Sequence, residues 1–514
     1  MKKASIVLLL CLIIIPFSVD AAIFTVTNTN DSEAGSLRQA IADANALEGD
    51  DFIEFDQSIF NSLQTITLTS GELQITGFYN LTINGTGANL LIISGNNASR
   101  VFSISGLSNN FNLRRITINN LTVTDGNTQN QGSGVSNGPH SRLTINNSII
   151  SGNAANGKGA GIANEGGNLT VNNSIISNNI SNQTGGGIVN SDLTFVDAYG
   201  TTTINNATIS NNKAFSGAGI ADWSAFGSLT VNNSTINNNS ATDGGGGILN
   251  SSGTEVNILN TTISGNSAKF GGGIFSYGST IIKKGTIAFN SAGNNGGGVQ
   301  TPNANVYALN TIFANNFSGD PATSSDFSGV LNSQGYNLIG NTTGTFVTGV
   351  ITGNKLNIDP QLDPSLQNNG GSTKTHALKL NSPAIDAGSE VPGVATDQRG
   401  LPSPVNFPFI PNAVDGNGAD IGAFEMQLAT VASVTVSGRV IQAKRGITQA
   451  RVYLTNQTGE TRTALTNSFG YYRFEDVRAG ETYTVNVHSK RYRFSPQIVS
   501  VNGEMSAVDF IAEY

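Results

Sequence analysis

A phrase of eight residues that returns along the chain limits the possible folds more than any other feature. It reads Leu-Thr-Ile-Asn-Asn-Ser-Ile-Ile at 143–150 and Leu-Thr-Val-Asn-Asn-Ser-Ile-Ile at 169–176. Its closing apolar residue marks the series Val123, Ile150, Ile176, Ile209, Ile236, Ile263, Ile287 and Ile312, with spacings of 24 to 33 residues. A period of this size predicts a solenoid in which each unit is stable only beside its neighbours.

A second marker keeps the same period. Gly-Gly-Gly-Ile stands at 185–188, 245–248 and 271–274, and close variants stand at 159–162, 217–220 and 296–299. The stretches between markers are short and β-rich, and none has apolar residues at helical spacing. A unit of about 25 residues can supply three strands and three corners, and units stacked about 4.8 Å apart form parallel sheets. The pattern therefore predicts an all-β solenoid.

Stacked coils place identical side chains above one another. The asparagines three residues after the first marker are Asn153, Asn179, Asn212, Asn239, Asn266 and Asn290. Asparagine amides stacked at strand spacing can bond to one another, so we expect an amide ladder at this corner.

The repeats resemble those of right-handed parallel β-helix proteins, in particular polymorphic outer-membrane proteins. The resemblance implies a right-handed, single-stranded, pectate-lyase-like solenoid. We predict that fold for residues 61–330, with a short N-terminal capping helix and a C-terminal β-sandwich. The repeat strongly predicts the fold of the chain but only weakly predicts its function.

The N-terminus has the features of a secretory signal peptide. Lys2 and Lys3 precede an apolar run, Pro16 breaks it, and a small-residue cleavage site precedes Ala22. We predict a signal peptide at 1–21 and a secreted or cell-surface protein, with outer-membrane association as one option and no membrane span in the mature chain. The only cysteine of the chain lies in that apolar run. The net charge of −8 argues against a nucleic-acid partner.

The first mature residues, 22–60, predict a cap over the open end of the solenoid. Leu37, Ala40, Ile41 and Ala44 recur at helical spacing, and Ser36 can cap the first turn. The stretch resembles the domain named for a Cys-Ser-Leu-Arg-Glu-Ala motif, which begins many secreted bacterial β-helix proteins. Glycine and glutamine replace the cysteine and the glutamate of that motif here.

Two further segments follow the repeats. Residues 331–425, with motifs such as Asn-Ser-Pro-Ala-Ile-Asp-Ala-Gly at 381–388, resemble the choice-of-anchor segment that closes bacterial β-helices. A linker is predicted at 426–433. Residues 434–514 alternate apolar and polar positions and resemble the carboxypeptidase regulatory-like domain. The three histidines are isolated, so a zinc peptidase site is not expected.

Candidate functional residues lie after the second marker, where coils connect. Glu165, Trp223 and Tyr277 each stand three residues beyond a marker, so stacking should place them along one edge. An insertion that carries Asp192, Asp197 and Tyr199 should abut the coil of Asp222. Carboxylates beside the only tryptophan predict a sugar or Ca²⁺ site. The alternative is a solvated loop in which Trp223 clamps the insertion.

These features lead to two principal hypotheses for function. The first is a non-catalytic surface protein that presents a long face for adhesion or polysaccharide binding. The second is a carbohydrate-active enzyme, a lyase or hydrolase, that acts on an acidic polysaccharide and needs converging charges. A third is a stalk that only displays the C-terminal domain. Lys283 and Lys284 could form an electropositive spot, although a solvated face is the expectation.

Overall fold

The computed structural model describes residues 21–106, 114–193, 197–251, 253, 255–319, 326–427, 433–457, 459–478, 481–501 and 504–513. Almost all of the predicted signal peptide therefore lies outside the described residues. The chain forms two compact units, 1–427 and 428–514. In the first unit, parallel strands stack into a solenoid of about 11 turns.

Sheets 1 and 2 form two sides of the coils, with every neighbouring pair of strands parallel. The strands of sheet 1 are Ile23–Val26, Asp51–Phe55, Leu81–Asn84, Arg115–Asn119, Arg142–Asn146, Asn168–Asn172, Thr201–Asn205, Ser228–Asn232, Glu255–Ser264, Ser279–Ala288, Val299–Leu309, Phe327–Gln334 and Thr345–Val350. Sheet 2 shares Glu255–Ser264 and Ser279–Ala288, which bend across the corner, and adds Gln64–Thr67, Leu91–Ser94, Thr122–Thr124, Ile149–Ser151, Ile175–Ser177, Thr208–Ser210, Thr235–Asn237, Ile312–Ala314, Leu338–Ile339 and Lys355–Leu356.

Sheet 3 forms the third side, and a narrow sheet 4 lies between sheets 2 and 3. The strands of sheet 3 are Leu73–Ile75, Phe102–Ile104, Val135–Asn137, Ile162–Glu165, Ile188–Ser191, Ile220–Trp223, Ile248–Asn250 and Ile274–Ser276, followed by the first residues of Val299–Leu309 and Phe327–Gln334. Sheet 4 consists of Asn127–Thr128, Ala154–Ala155, Ile180–Ser181, Lys213–Ala214, Ser240–Ala241, Ser267–Ala268, Ser291–Ala292 and Phe317–Ser318. The all-β parallel solenoid is confirmed.

Side-chain alternation fills the interior. In sheet 1, Leu143 and Ile145 point inward and are buried, whereas Thr144 between them is half-exposed. Each pairs with its equivalent in the next coil, as Leu143 does with Leu169 and Ile145 with Val171. Apolar ladders thus run the length of the solenoid, because the period of the sequence keeps every coil in the same register.

The predicted amide ladder is present and is fully buried. The Nδ2 of Asn212 donates to Oδ1 of Asn239 at 2.9 Å, and the same bond joins each asparagine from Asn153 onward to the next. The ladder continues through Asn316, whose amide donates to Asp326 at 2.9 Å. Because the bonds all run in one direction, the last member needs only to accept, which a carboxylate does. Burial raises the pKa of Asp326 to about 6.

The capping helix is Leu37–Ala46, and the predicted apolar positions form its buried face. Ser36 caps it, because its side chain accepts a hydrogen bond from the main-chain N–H of Gln39. The solenoid itself begins earlier than predicted, since Ile23–Val26 pairs in parallel with Asp51–Phe55. Its parallel ladder runs on to Leu356, within the segment predicted to close the solenoid, and so outlasts the recognisable repeat.

After Leu356 the chain becomes irregular and packs on the outer face of sheet 2. We call residues 357–427 the covering segment. It places Leu362, Leu378 and Ile385 against apolar residues of the last coils. It also buries Lys284, whose Nζ lies 3.4 Å from Oε2 of Glu425. The expectation of a solvated face at Lys284 was therefore wrong, because the covering segment folds back over that corner.

The covering segment contains more buried acids than bases. Asp386, Asp397, Asp420 and Glu425 are fully buried, and they share the region with Lys284 and Arg399. Burial and the neighbouring Glu425 raise the pKa of Asp420 to about 8. Burial also raises the pKa of Asp386. Protons held by these carboxyl groups reduce the excess negative charge in the interior.

This arrangement predicts that the first unit loses stability as the pH rises. Asp420 keeps its proton to higher pH in the folded than in the unfolded chain, so the folded state binds more protons between about pH 4 and pH 8. We expect Asp420 alone to lower the free energy of unfolding by up to about 1.4 kcal/mol per pH unit in that window. Denaturant titrations at several pH values measure this slope. Asp420→Asn should reduce the slope and the exposed Asp359→Asn should not; equal slopes in both variants would contradict the assignment.

The second unit is built from antiparallel strands that form two sheets around one core. One sheet comprises Ser433–Gln442, Arg445–Gly446, Tyr471–Arg478 and Phe510–Ile511, the last pairing in parallel, and the other Arg451–Asn456, Thr461–Leu465, Glu481–His488 and Gln497–Val501. Val436 and Phe474 of the first sheet share a core with Val452 and Val485 of the second. The predicted sandwich core is present.

Candidate functional site

The predicted edge exists as a column on sheet 3. Strand pairing aligns Glu165 with Ser191 and Ser191 with Trp223. Tyr277 lies two coils further along, where its main-chain N–H donates to the carbonyl of Asn250 at 2.8 Å. Trp223 and Tyr277 are 44% and 45% exposed, so two aromatic rings of this edge face solvent. Stacking thus gathers three of the predicted residues on one side of the solenoid.

Asp222 does not belong to that edge. Its side chain is fully buried in the coil interior, in line with Asn190 and Asn250. Oδ1 accepts hydrogen bonds from the side chain of Asn190 at 3.0 Å and from the main-chain N–H of Ser224 at 3.2 Å. Asp222 therefore serves an internal polar ladder and is not accessible to a ligand.

Asp192 joins two connections between coils. Its carboxylate accepts hydrogen bonds from the main-chain N–H groups of Gly200, Ala225 and Phe226 and from the hydroxyl of Ser224, at 2.7 to 2.9 Å. Four donors occupy the lone pairs that a cation would need. Asp192 thus holds the insertion against the next coil instead of offering a Ca²⁺ ligand.

The rest of the insertion packs as a small turn, of which residues 194–196 lie outside the described ranges. Asp197 is exposed and has a left-handed φ of 51°, typical of a turn. Tyr199 packs on Phe226, with ring centroids 5.3 Å apart. The insertion is therefore clamped by Tyr199 and Phe226. The alternative hypothesis, in which Trp223 clamps a solvated loop, named the wrong aromatic residue. Tyr277 similarly packs on Phe275, at 4.8 Å.

Trp223 has a different neighbour, Lys158. The Nζ of Lys158 lies 5.3 Å from the centroid of the indole ring, in cation–π range. Its ammonium group makes no hydrogen bond or salt bridge with any residue in the described ranges. Lys158 also lines a groove of about 490 Å³ with Glu165, Gln131 and Gln183. No pattern in the sequence pointed to Lys158, because Lys158 and Trp223 lie two coils apart.

Charge converges at this groove. Burial raises the pKa of the Glu165 carboxyl, while the positive charges of Arg100 and Lys158 lower it in part. Arg100 also lines the groove, but its guanidinium is committed, since it pairs with Glu72 at 3.0 Å and donates to two main-chain carbonyls. We call Lys158, Glu165 and Trp223 the tryptophan edge. It offers one uncommitted cation, one partly buried acid and one exposed aromatic ring.

Two other classes of site find no support in the described part of the chain. No group of three or more His, Cys, Asp or Glu side chains there is arranged to hold a metal ion. Among the same residues, no helix combines the length and the apolar character needed to cross a bilayer.

The first unit places the protein in the class of parallel β-solenoids, here with a covering segment. Comparison with known proteins identifies the family that the second unit resembles. Residues 435–511 match the family described as the carboxypeptidase regulatory-like domain, which confirms the resemblance predicted for 434–514. No curated protein matches the chain. The resemblances of the cap and of the closing segment stay predictions.

Two solved structures share a likeness to the chain. One is a pectate lyase, with 15% identity over 79% of this chain and 96% of its own, and a TM-score of 0.45. The other is a mannuronic acid specific polysaccharide family 6 lyase from human gut microbiota, with 10% identity over 65% of this chain and 92% of its own, and a TM-score of 0.27. Likenesses of this degree carry no argument about activity.

Proposed function

We propose that this is a non-catalytic protein of the cell exterior that binds an acidic polysaccharide at the tryptophan edge. The observation that carries the proposal is the free ammonium of Lys158 beside the exposed ring of Trp223. A sugar ring can stack on indole, and its carboxylate can pair with the ammonium group. The location rests on the signal peptide predicted from the sequence.

The surroundings of the edge support a glycan ligand. The adjoining groove is lined by Gln129, Gln131 and Gln183, a residue type whose amide offers both donors and acceptors. It runs across coils of a rigid scaffold, so little conformational entropy is lost when a ligand binds. Glu165 lies at the same groove and can accept hydrogen bonds from sugar hydroxyl groups.

A second candidate function, cleavage of such a polysaccharide, is favoured by one observation. Burial raises the pKa of Glu165, which shares a groove with Lys158, and an acid whose pKa is raised by burial beside a cation is a candidate for proton transfer. Arg100, the other cation there, is held by Glu72 and two carbonyl groups. With a single uncommitted cation, binding is the simpler function of this edge.

The test is to incubate the protein with polygalacturonate and other acidic and neutral polysaccharides, recording both retention and released unsaturated or reducing ends. We expect retention of an acidic polymer without release. Trp223→Ala should weaken it about ten-fold, from the loss of stacking, and Lys158→Ala should weaken acidic polymers only. Phe346→Ala, which removes an exposed aromatic ring at the far end of the solenoid, is the matched control.

The outcomes separate the two candidate functions. Release of new ends that disappears in Glu165→Gln would replace the binding proposal with the enzymatic one. Unchanged binding in Trp223→Ala and Lys158→Ala would show that this edge is not the site.

A further inference from the structure

A single column of corner residues runs along the solenoid between sheets 1 and 2. All its members have φ between 46° and 56°, and one comes from each of eight successive coils: Asn120, Asn147, Asn173, Asn206, Asn233, Asn260, Lys284 and Asn310. We call it the corner column. The left-handed backbone explains a small or amide residue at each position. It does not require a free side-chain amide.

The last members of the corner column bind the covering segment. The Nδ2 of Asn310 donates to the carbonyl of Ser389 at 2.6 Å, and the N–H of Ser389 donates to Oδ1 of Asn310 at 3.0 Å. This is a two-point pairing between a side-chain amide and a peptide group. Asn260 likewise donates to the carbonyl of Thr396 at 3.0 Å. The chemistry of this corner is therefore recognition of polypeptide main chain.

The first members of the corner column are bare. The side-chain amides of Asn120, Asn147, Asn173 and Asn206 form no hydrogen bond with any described residue, and all four are at least partly exposed. Beside them a shallow groove of about 860 Å³, lined by ten asparagines and Leu259, runs along the coils. It reaches Asn233, whose carbonyl accepts a hydrogen bond from Thr373 of the covering segment. The groove thus continues the interface that the covering segment already forms.

The adjoining face of sheet 2 changes at the same place. Strand pairing aligns Ile149, Ile175 and Thr208 with Thr235 and Thr262 in one outward row. Thr235 and Thr262 are fully buried under the covering segment, whereas Ile175 is 42% exposed. The exposed Ile175 and the half-exposed Ile149 thus lie beside unpaired amides, a surface that one more polypeptide segment would complete.

The groove also has fixed walls. Asn146 donates to Asn119 at 2.8 Å and Asn172 donates to Asn146 at 2.8 Å, so neighbouring amides hold one another in place. Each of these amides keeps a second N–H and a second lone pair for a ligand. The five coils from Asn119 to Asn232 span about 19 Å at about 4.8 Å per coil, the length of about six extended residues.

We propose that this groove, lined by the bare part of the corner column, binds an extended, uncharged polypeptide segment of a partner protein. The bare asparagines would pair with its peptide groups as Asn310 pairs with Ser389. The site is separate from the tryptophan edge, so it does not depend on the function proposed above. An uncharged segment fits because no charged side chain lines the groove.

Panning the purified protein against a phage library of short random peptides tests the proposal. Asn173→Gly combined with Asn206→Gly removes two bare amides at positions where φ is 49° and 52°, which glycine adopts without strain. Asn178→Gly combined with Asn211→Gly is the matched control. These two asparagines lie in the same coils at another corner, and their backbone is likewise left-handed, with φ of 56° at both. We expect enriched peptides to bind the first variant about ten-fold more weakly and the control unchanged.

Three results would overturn the proposal. They are a failure to enrich any peptide, equal binding to both double variants, and self-association in sedimentation that only Asn173→Gly with Asn206→Gly abolishes. The last result would make the occupant a second copy of this chain. Trp223→Ala should leave peptide binding unchanged, so failure of the tryptophan edge and failure of this groove remain distinguishable.

Discussion

Replacing Asn212 with alanine is expected to lower the free energy of unfolding of the solenoid by about 3–6 kcal/mol. Oδ1 of Asn212 accepts hydrogen bonds from both the main-chain and side-chain nitrogens of Asn179 at 3.0 Å. Its Nδ2 donates to the carbonyl of Ile176 at 3.0 Å and to Asn239 at 2.9 Å. All these groups are buried, and each one left without a partner costs about 1–3 kcal/mol.

The loss should also be visible as reduced cooperativity. In a solenoid each coil is held by its two neighbours, so a weakened junction can let the two halves unfold separately. Thermal unfolding followed by circular dichroism, together with hydrogen exchange of the coils around Asn212, measures both effects. Asn237→Ala is the matched control, because Asn237 is half-exposed and its side chain bonds to no described residue. Equal destabilisation by the two variants would contradict a structural role for the ladder.

Replacing Lys284 with methionine is expected to destabilise the first unit by about 3–5 kcal/mol. Lys284 and Glu425 are both fully buried, and removing one partner of such a pair leaves an uncompensated charge inside the protein. Glu425 also accepts hydrogen bonds from Ser403 at 2.7 Å and from the main-chain N–H of Val405 at 2.8 Å. The pair therefore fixes several parts of the covering segment on the solenoid.

Two further variants test whether the effect comes from the buried pair. Lys283→Met changes the neighbouring lysine, which is half-exposed in sheet 1, and should have little effect. Glu425→Gln added to Lys284→Met should recover part of the loss, since it removes the unpaired charge. Urea unfolding gives the stability, and hydrogen exchange should show faster opening of residues 373–425 in Lys284→Met. Equal effects at the two lysines, or no recovery in the double variant, would contradict the buried-pair assignment.

Only part of the candidate site could be predicted from the sequence. Stacking by period placed Glu165 and Trp223 in one column, because register in a solenoid follows directly from repeat spacing. The inward position of Asp222 was also accessible, since it stands two residues after the buried Ile220, and alternate residues of a strand share a face. The place of Lys158 could not be foreseen, because it depends on how a loop side chain crosses two coils.

The sequence by itself determined the solenoid, the buried ladder from Asn153 to Asn290 and the capping helix, because each follows from a local period repeated in register. It did not show that Asp326 ends the ladder, that Lys284 is buried, or that the same asparagine corner is covered in the last coils and bare in the first. Those features depend on where the irregular covering segment folds back. Its contacts join residues more than 70 positions apart, and no repeat in the sequence encodes them.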